Sequence, residues 1–213
     1  MALTRLNVNT ALSATLPVSK GGTGVTTAAD LANTGNMVKI SSATASNDSS
    51  ISFTSGIDST YSIYKFEFLN IHPVTDDVDF GFLLSNDSGS NYNLEKTGAG
   101  FQLQGNEAGD SFTLGHISNF NSAEVTGRTP LSHSTGNNTD EQFSGHLFLY
   151  NPSNTTFVKS YMSFIQSYHA LNIAQLHVVQ GYCNRQTAIN AIKFEFSSGN
   201  IETGSITMYG VKT

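Results

Sequence analysis

The chain has 213 residues with 14 Phe, 8 Tyr, no Trp and one cysteine, and only 12% of it is Asp, Glu, Lys or Arg. That length holds one sizeable domain and an extension. A formal net charge of −6 with no basic cluster excludes the phosphate-neutralising surface of a nucleic-acid binder, and a lone cysteine excludes an intrachain disulfide or a cysteine-rich zinc site.

Residues 1–35 are rich in Thr, Ala, Asn and Gly and contain no aromatic residue, so they read as an extension that contributes little to a core. Thr27 is an N-cap candidate for a short helical turn through Ala28, Ala29, Asp30, Leu31 and Ala32, with Gly35 placed to end it. The glycines Gly21, Gly22 and Gly24 are preceded by Lys20, and no Gly-Lys-Ser/Thr follows, which argues against a phosphate cradle. Met1 to Asn7 lack the apolar core of a signal peptide, and no apolar run approaches the roughly 20 residues of a membrane span. The expectation is a chain made in the cytoplasm, with no membrane insertion, that stays soluble until it is assembled.

From Met37 the period becomes two, and residues 36–213 are expected to form one domain. Ile51 to Thr54 opens it, and Tyr61 to Ile71 follows with Tyr64, Phe66 and Phe68 on one face. Asp79 to Ser85 is the next strand, closed by the turn Asn86-Asp87-Ser88-Gly89. The stretch from Asn86 to Glu141 has the weakest pattern, with short strands at Phe101–Gln104 and Ser111–Leu114 among long loops. Phe143–Tyr150 and Thr156–Ile165 read as a hairpin joined by Asn151-Pro152-Ser153-Asn154. His177–Tyr182, Ile189–Phe196 and Gly204–Val211 complete eight to ten strands. Ile192-Lys193-Phe194-Glu195-Phe196 echoes Tyr64-Lys65-Phe66-Glu67-Phe68, which suggests equivalent strands of two facing sheets. The class implied is an all-β antiparallel sandwich.

The terminal stretch Asn200 to Thr213 alternates through Ile206, Met208 and Val211 with one slip expected at Tyr209-Gly210. With Ser198-Gly199-Asn200 before it, Ile201-Glu202-Thr203-Gly204-Ser205-Ile206-Thr207-Met208-Tyr209-Gly210 resembles the closing motif of many bacteriophage tail-fibre and related virion proteins, especially those of phages of marine bacteria. Leu16-Pro17-Val18-Ser19-Lys20-Gly21-Gly22-Thr23-Gly24-Val25-Thr26-Thr27-Ala28-Ala29 resembles a second module of that family, found near the N-terminus or along the fibre shaft. Leu84-Ser85-Asn86-Asp87-Ser88-Gly89 followed by Tyr92 resembles the same family. The resemblance implies a jelly-roll-like sandwich and a homotrimer in the virion. It also implies attachment to tail, baseplate or adaptor proteins through Leu16, Pro17, Val18, Gly21, Gly22, Thr23 and Gly24.

Chemistry-bearing residues read blandly in sequence. His72, His116, His133, His146, His169 and His177 show no metal-ligand spacing and read as packing or surface residues, the best case for a metal being several chains meeting on a symmetry axis. Asp76-Asp77-Val78-Asp79 lacks a glycine-centred calcium loop, and no cofactor is implied. Cys183 reads as a packed thiol. Glu107, Asp110, Glu124, Asp140 and Glu141 read as loop carboxylates without an evident partner, so no catalysis is expected; a sugar-cleaving receptor domain is the third reading, after a tail fibre and a head decoration or capsid fibre protein. Tyr92, Asn119, Phe120, Asn121, Tyr168 and His169 are candidates for contact with host surface carbohydrate or an outer-membrane receptor, because loop aromatics and amides stack on and hydrogen-bond sugars.

Overall fold

Thirteen strands follow one another in the computed structural model, which describes residues 36–212. The chain divides into two units, Met1–Val38 and Lys39–Thr213, and the strands belong to the second apart from the first two residues of β1. In chain order they are β1 (Met37–Thr44), β2 (Ile51–Phe53), β3 (Ile63–Pro73), β4 (Phe80–Ser85), β5 (Lys96–Asn106), β6 (Phe112–His116), β7 (Ser122–Val125), β8 (Thr129–Pro130), β9 (Phe143–Tyr150), β10 (Lys159–His169), β11 (Ile173–Cys183), β12 (Ala191–Phe196) and β13 (Ile201–Val211). The only helical element among the described residues is a 3-10 turn, Ser118–Phe120, between β6 and β7. The expected turn after Thr27 and the expected attachment residues Leu16 to Gly24 lie outside the described residues.

Two antiparallel sheets pack face to face. The smaller has the order β2-β12-β4-β8, and the larger runs β1-β13-β3-β9-β10-β11-β5-β6, with β7 also on β5. Within these, β1-β13-β3-β9 opposite β2-β12-β4-β8 is a jelly roll: the chain passes from sheet to sheet at each step from β1 to β4, and again at β8 to β9 and β12 to β13. The remaining strands are insertions. The link from β4 to β8 carries β5, β6 and β7, the link from β9 to β12 carries β10 and β11, and together they widen the larger sheet beyond β9.

The core is aromatic because alternation on β3 and β12 turns phenylalanines toward each other. Phe66 and Phe68 lie 5.4 and 5.2 Å from Phe194, Phe80 lies 4.7 Å from Phe143, and Phe82 lies 5.0 Å from Tyr161, all as ring centroids. Each such ring contributes roughly 1.5–3 kcal/mol by leaving water. The echo between the two Lys-x-Glu-containing strands is real at this level, with one in each sheet. Their polar faces match too, since Lys65 pairs with Glu67 at 2.9 Å and Lys193 with Glu195 at 2.8 Å.

Several details differ from the sequence reading. β1 begins where the period of two begins, at Met37, although no strand is bounded there in sequence, and β5 runs for 11 residues where the sequence reading places a short strand. The slip in β13 falls between Ile201 and Ser205, not at Tyr209-Gly210: the register with β3 is unbroken from Ser205 opposite Leu69 to Val211 opposite Ile63. Gly204 makes the irregularity possible with φ of +111°, against the Asn70 backbone. Gly210 then takes the inward position after Met208, and the ring of Tyr61 fills the space a side chain there would occupy. The hairpin from β9 to β10 forms as expected, but β10 starts at Lys159 because Asn154 Oδ1 accepts the amides of Thr156 and Phe157 at 2.7 and 2.8 Å, holding both out of the ladder.

Candidate functional site

At one end of the sandwich, the segment 132–136 crosses the start of β4 and is held by a carboxylate. Asp79 Oδ1 accepts from His133 Nδ1 at 2.9 Å and from the Ser134 amide at 3.0 Å, and Asn119 Nδ2 approaches Oδ2 at 3.4 Å. The bond to Asp79 raises the His133 pKa against the effect of burial. Burial pushes the Asp79 carboxyl upward, and the His133 and Ser134 bonds more than offset it, so Asp79 stays below the usual aspartate value.

Ser134 Oγ lies 3.4 Å from His133 Nε2, which gives the order of an acid, a base and a hydroxyl. A hydrolytic site also needs free N–H donors for an oxyanion. Here the amides are committed: Ser134 to Asp79, Thr135 to Val78 O at 2.9 Å and Gly136 to Tyr168 O at 3.4 Å. The cluster therefore pins a loop.

Of the carboxylates of a sugar-cleaving reading, Glu124 stands apart from Glu107 and Asp110. Glu107 accepts from the Tyr168 hydroxyl at 2.7 Å and Asp110 from Asn106 Nδ2 at 2.7 Å, both at the β5–β6 turn. The Glu124 amide instead bonds Thr97 Oγ1 at 3.2 Å near the start of β5. Ten residues of strand, about 30 Å, separate these ends, against the roughly 5–9.5 Å of a glycosidase pair.

The proposed receptor residues divide between two places. Asn119, Phe120, Asn121, Tyr168 and His169 gather around segment 132–136, which bridges to β10 at Thr135 opposite His169. Asn121 Oδ1 lies 2.8 Å from His116 Nε2, and His169 Nδ1 accepts the Leu171 amide at 2.9 Å. Phe120 is fully buried, its ring 5.3 Å from His177 and 6.4 Å from His133, so that ring packs inside the fold. Tyr92 is elsewhere, with Lys193 Nζ 5.2 Å from its ring centre.

Beneath the 3-10 turn and β8, the inner face of β10, β11 and β5 is unusually polar. Lys96 and Lys159 are both buried and both sit opposite Cys183 in the ladder. Lys96 Nζ donates to Leu94 O and Gly127 O at 3.0 Å each and lies 5.8 Å from the Phe82 ring centre; burial without a carboxylate lowers its pKa to about 8. Burial also raises the Cys183 thiol. His177 is wholly buried, neither ring nitrogen has a protein partner, and burial, helped by the His133 charge, lowers its pKa to about 3.

The opposite, outward face of the same strands is mostly apolar, with Thr97, Ser160, Gln166 and Gln180 as its polar members. Phe164, Val178 and Phe101 form one ladder row across β10, β11 and β5, and Leu176, Leu103 and Leu114 form the next across β11, β5 and β6. Phe112 and Leu114 on β6 are 71% and 69% exposed. A groove of about 330 Å³ lies beside Phe112, floored by Leu103, Ala174 and Leu176 and flanked by Gln166. From β9 to β6 no outward ladder position holds Asp, Glu, Lys or Arg; the first charges are Lys65 and Glu67 on β3, paired with each other. Sequence reasoning recorded Phe101 and Leu103 as a strand without seeing that these face out, because their polar neighbours Gln102 and Gln104 face a polar interior.

The fold and this face define a jelly-roll sandwich with a widened sheet whose added strands carry no Asp, Glu, Lys or Arg at their outward positions. No family model, curated protein or solved structure matches the chain.

Proposed function

We propose that this chain is a structural protein of a bacteriophage virion, a trimeric short tail fibre in which the sandwich is displayed for attachment to the host surface. Residues 1–35 join it to other tail, baseplate or adaptor proteins in this reading. The terminal motifs that resemble tail-fibre modules supply the class, and the jelly roll agrees with the fold that the resemblance implies.

The observation that carries the assembly part is the mostly apolar, charge-free outer face in a chain of net charge −6. Contiguous exposed apolar surface of this extent marks an interaction site. Receptor contact falls to the loop end, where Asn119, Asn121, Tyr168 and His169 offer amide, phenol and imidazole groups on a frame pinned by Asp79 and His133. Their chemistry suits a surface carbohydrate.

Antibody labelling of purified particles by electron microscopy tests the reading. Label at the tail tip is the expected result. Label spread over the head, or a particle fraction free of the protein, overturns it.

A further inference from the structure

We infer that the outward face of β9, β10, β11, β5 and β6 is where this chain packs against further copies of itself. The inference rests on the homo-oligomer of the proposed function and names its surface. Five strands at about 4.8 Å spacing, averaging about nine residues at about 3.4 Å, present roughly 700 Å². A stable interface of standard size takes about 800 Å² from each partner, so the face is of the right extent.

Charge identifies the occupant. Every copy carries the same net charge of −6, and like charges brought together in a desolvated contact are costly. A basic partner would be met by acidic side chains at the contact, and this face has none. Copies of a chain with this net charge meet at least cost across a surface without charge, and the two ladder rows through Val178 and Leu103 supply one. In a closed ring of copies the face turns toward the symmetry axis. Phe112 and Leu114, on a strand exposed along its whole length, then become buried, which accounts for apolar side chains on an edge hairpin that the single chain leaves in water.

Light scattering of the purified full-length protein tests this, with Leu103→Glu/Leu114→Glu as the variant. The wild type should have a mass that is a multiple of 22.8 kDa, and the variant should fall to one chain with an unchanged far-ultraviolet circular dichroism spectrum. Val74→Glu, at an exposed position off this face, should leave the multiple intact. A variant that keeps the wild-type mass overturns the inference, as does a monomeric wild type, including one whose face is covered by its own residues 1–35. Should the variant not fold, hydrogen exchange on the wild type decides: the amides of Phe112 to His116 should slow about tenfold or more on raising concentration through the association range, and concentration-independent exchange overturns the inference. These results use protein alone, so an oligomer absent from virion tails would sink the tail-fibre reading and leave the interface standing.

Discussion

Phe66 in the larger sheet and Phe194 in the smaller stand 5.4 Å apart at the centre of the sandwich, each flanked by a Lys–Glu pair on the outer face of its own strand. The two rings join the sheets. Truncating either to Ala should cost about 3–5 kcal/mol in chemical denaturation. The double variant should lose less than the sum, by about 0.5–1.5 kcal/mol; strict additivity would mean that the rings do not couple.

Tyr61 and Gly210 form a second dependent pair. A Cβ at Gly210 overlaps the Tyr61 ring, so Gly210→Ala should cost about 1–3 kcal/mol by overpacking. In a Tyr61→Ala background the same change should cost much less, and urea midpoints of the four proteins measure the difference. An equal cost in both backgrounds would place the strain in the backbone of β13.

Lys96 gives an alkaline signature. Its pKa falls from an ordinary 10.5 in the unfolded chain to about 8 in the fold, so its neutral form is favoured on folding. The contribution is fully present above 10.5 and is lost as pH falls through about 8. The stability of wild type relative to Lys96→Met should therefore rise by about 3 kcal/mol between pH 8 and 10.5. Because Cys183 faces Lys96 and its ionisation is coupled to it, both proteins are compared in a Cys183→Ala background, where the ionisation of the tyrosines, which acts in the opposite sense, cancels at each pH.

Two histidines should act with opposite sign in acid. His177 has its folded pKa lowered to about 3, so its contribution is present above 6.5 and is lost as pH falls toward 3, on the order of 5 kcal/mol in total. His133 has its folded pKa raised by Asp79, so its contribution is present below 6.5 and is lost as pH rises through the folded value. From pH 7 to 5 the stability of His177→Gln should decline less steeply than wild type, and that of His133→Gln more steeply. Thermal melts across that range read both slopes.

Much of the frame was legible because aromatic alternation survives in strands that line the dry core. Tyr64 to Phe68, Ile192 to Phe196 and the β9–β10 hairpin follow from period two and turn chemistry. What failed was the inserted half of the larger sheet. There the inward positions carry Lys96, Gln102, Ser163 and His177 while Phe101, Leu103 and Phe164 point out, the reverse of the usual code. Period two locates a strand and says nothing about which side is wet. The Asp79–His133 tie was equally invisible, since 54 residues separate two groups that become neighbours only when segment 132–136 crosses β4.

The position of β13 governs when the sandwich can exist during synthesis. It lies between β1 and β3, so two strands made early stay without their shared neighbour until residues 201–211 have left the ribosome. Before that, β3 has β9 on one side and an open edge on the other, with Phe66 and Phe68 facing a half-built interior. Such edges recruit strands from other chains. Folding is thereby deferred until translation of the domain is complete, and neighbouring nascent chains on one message are exposed to each other's unfinished sheets in that interval.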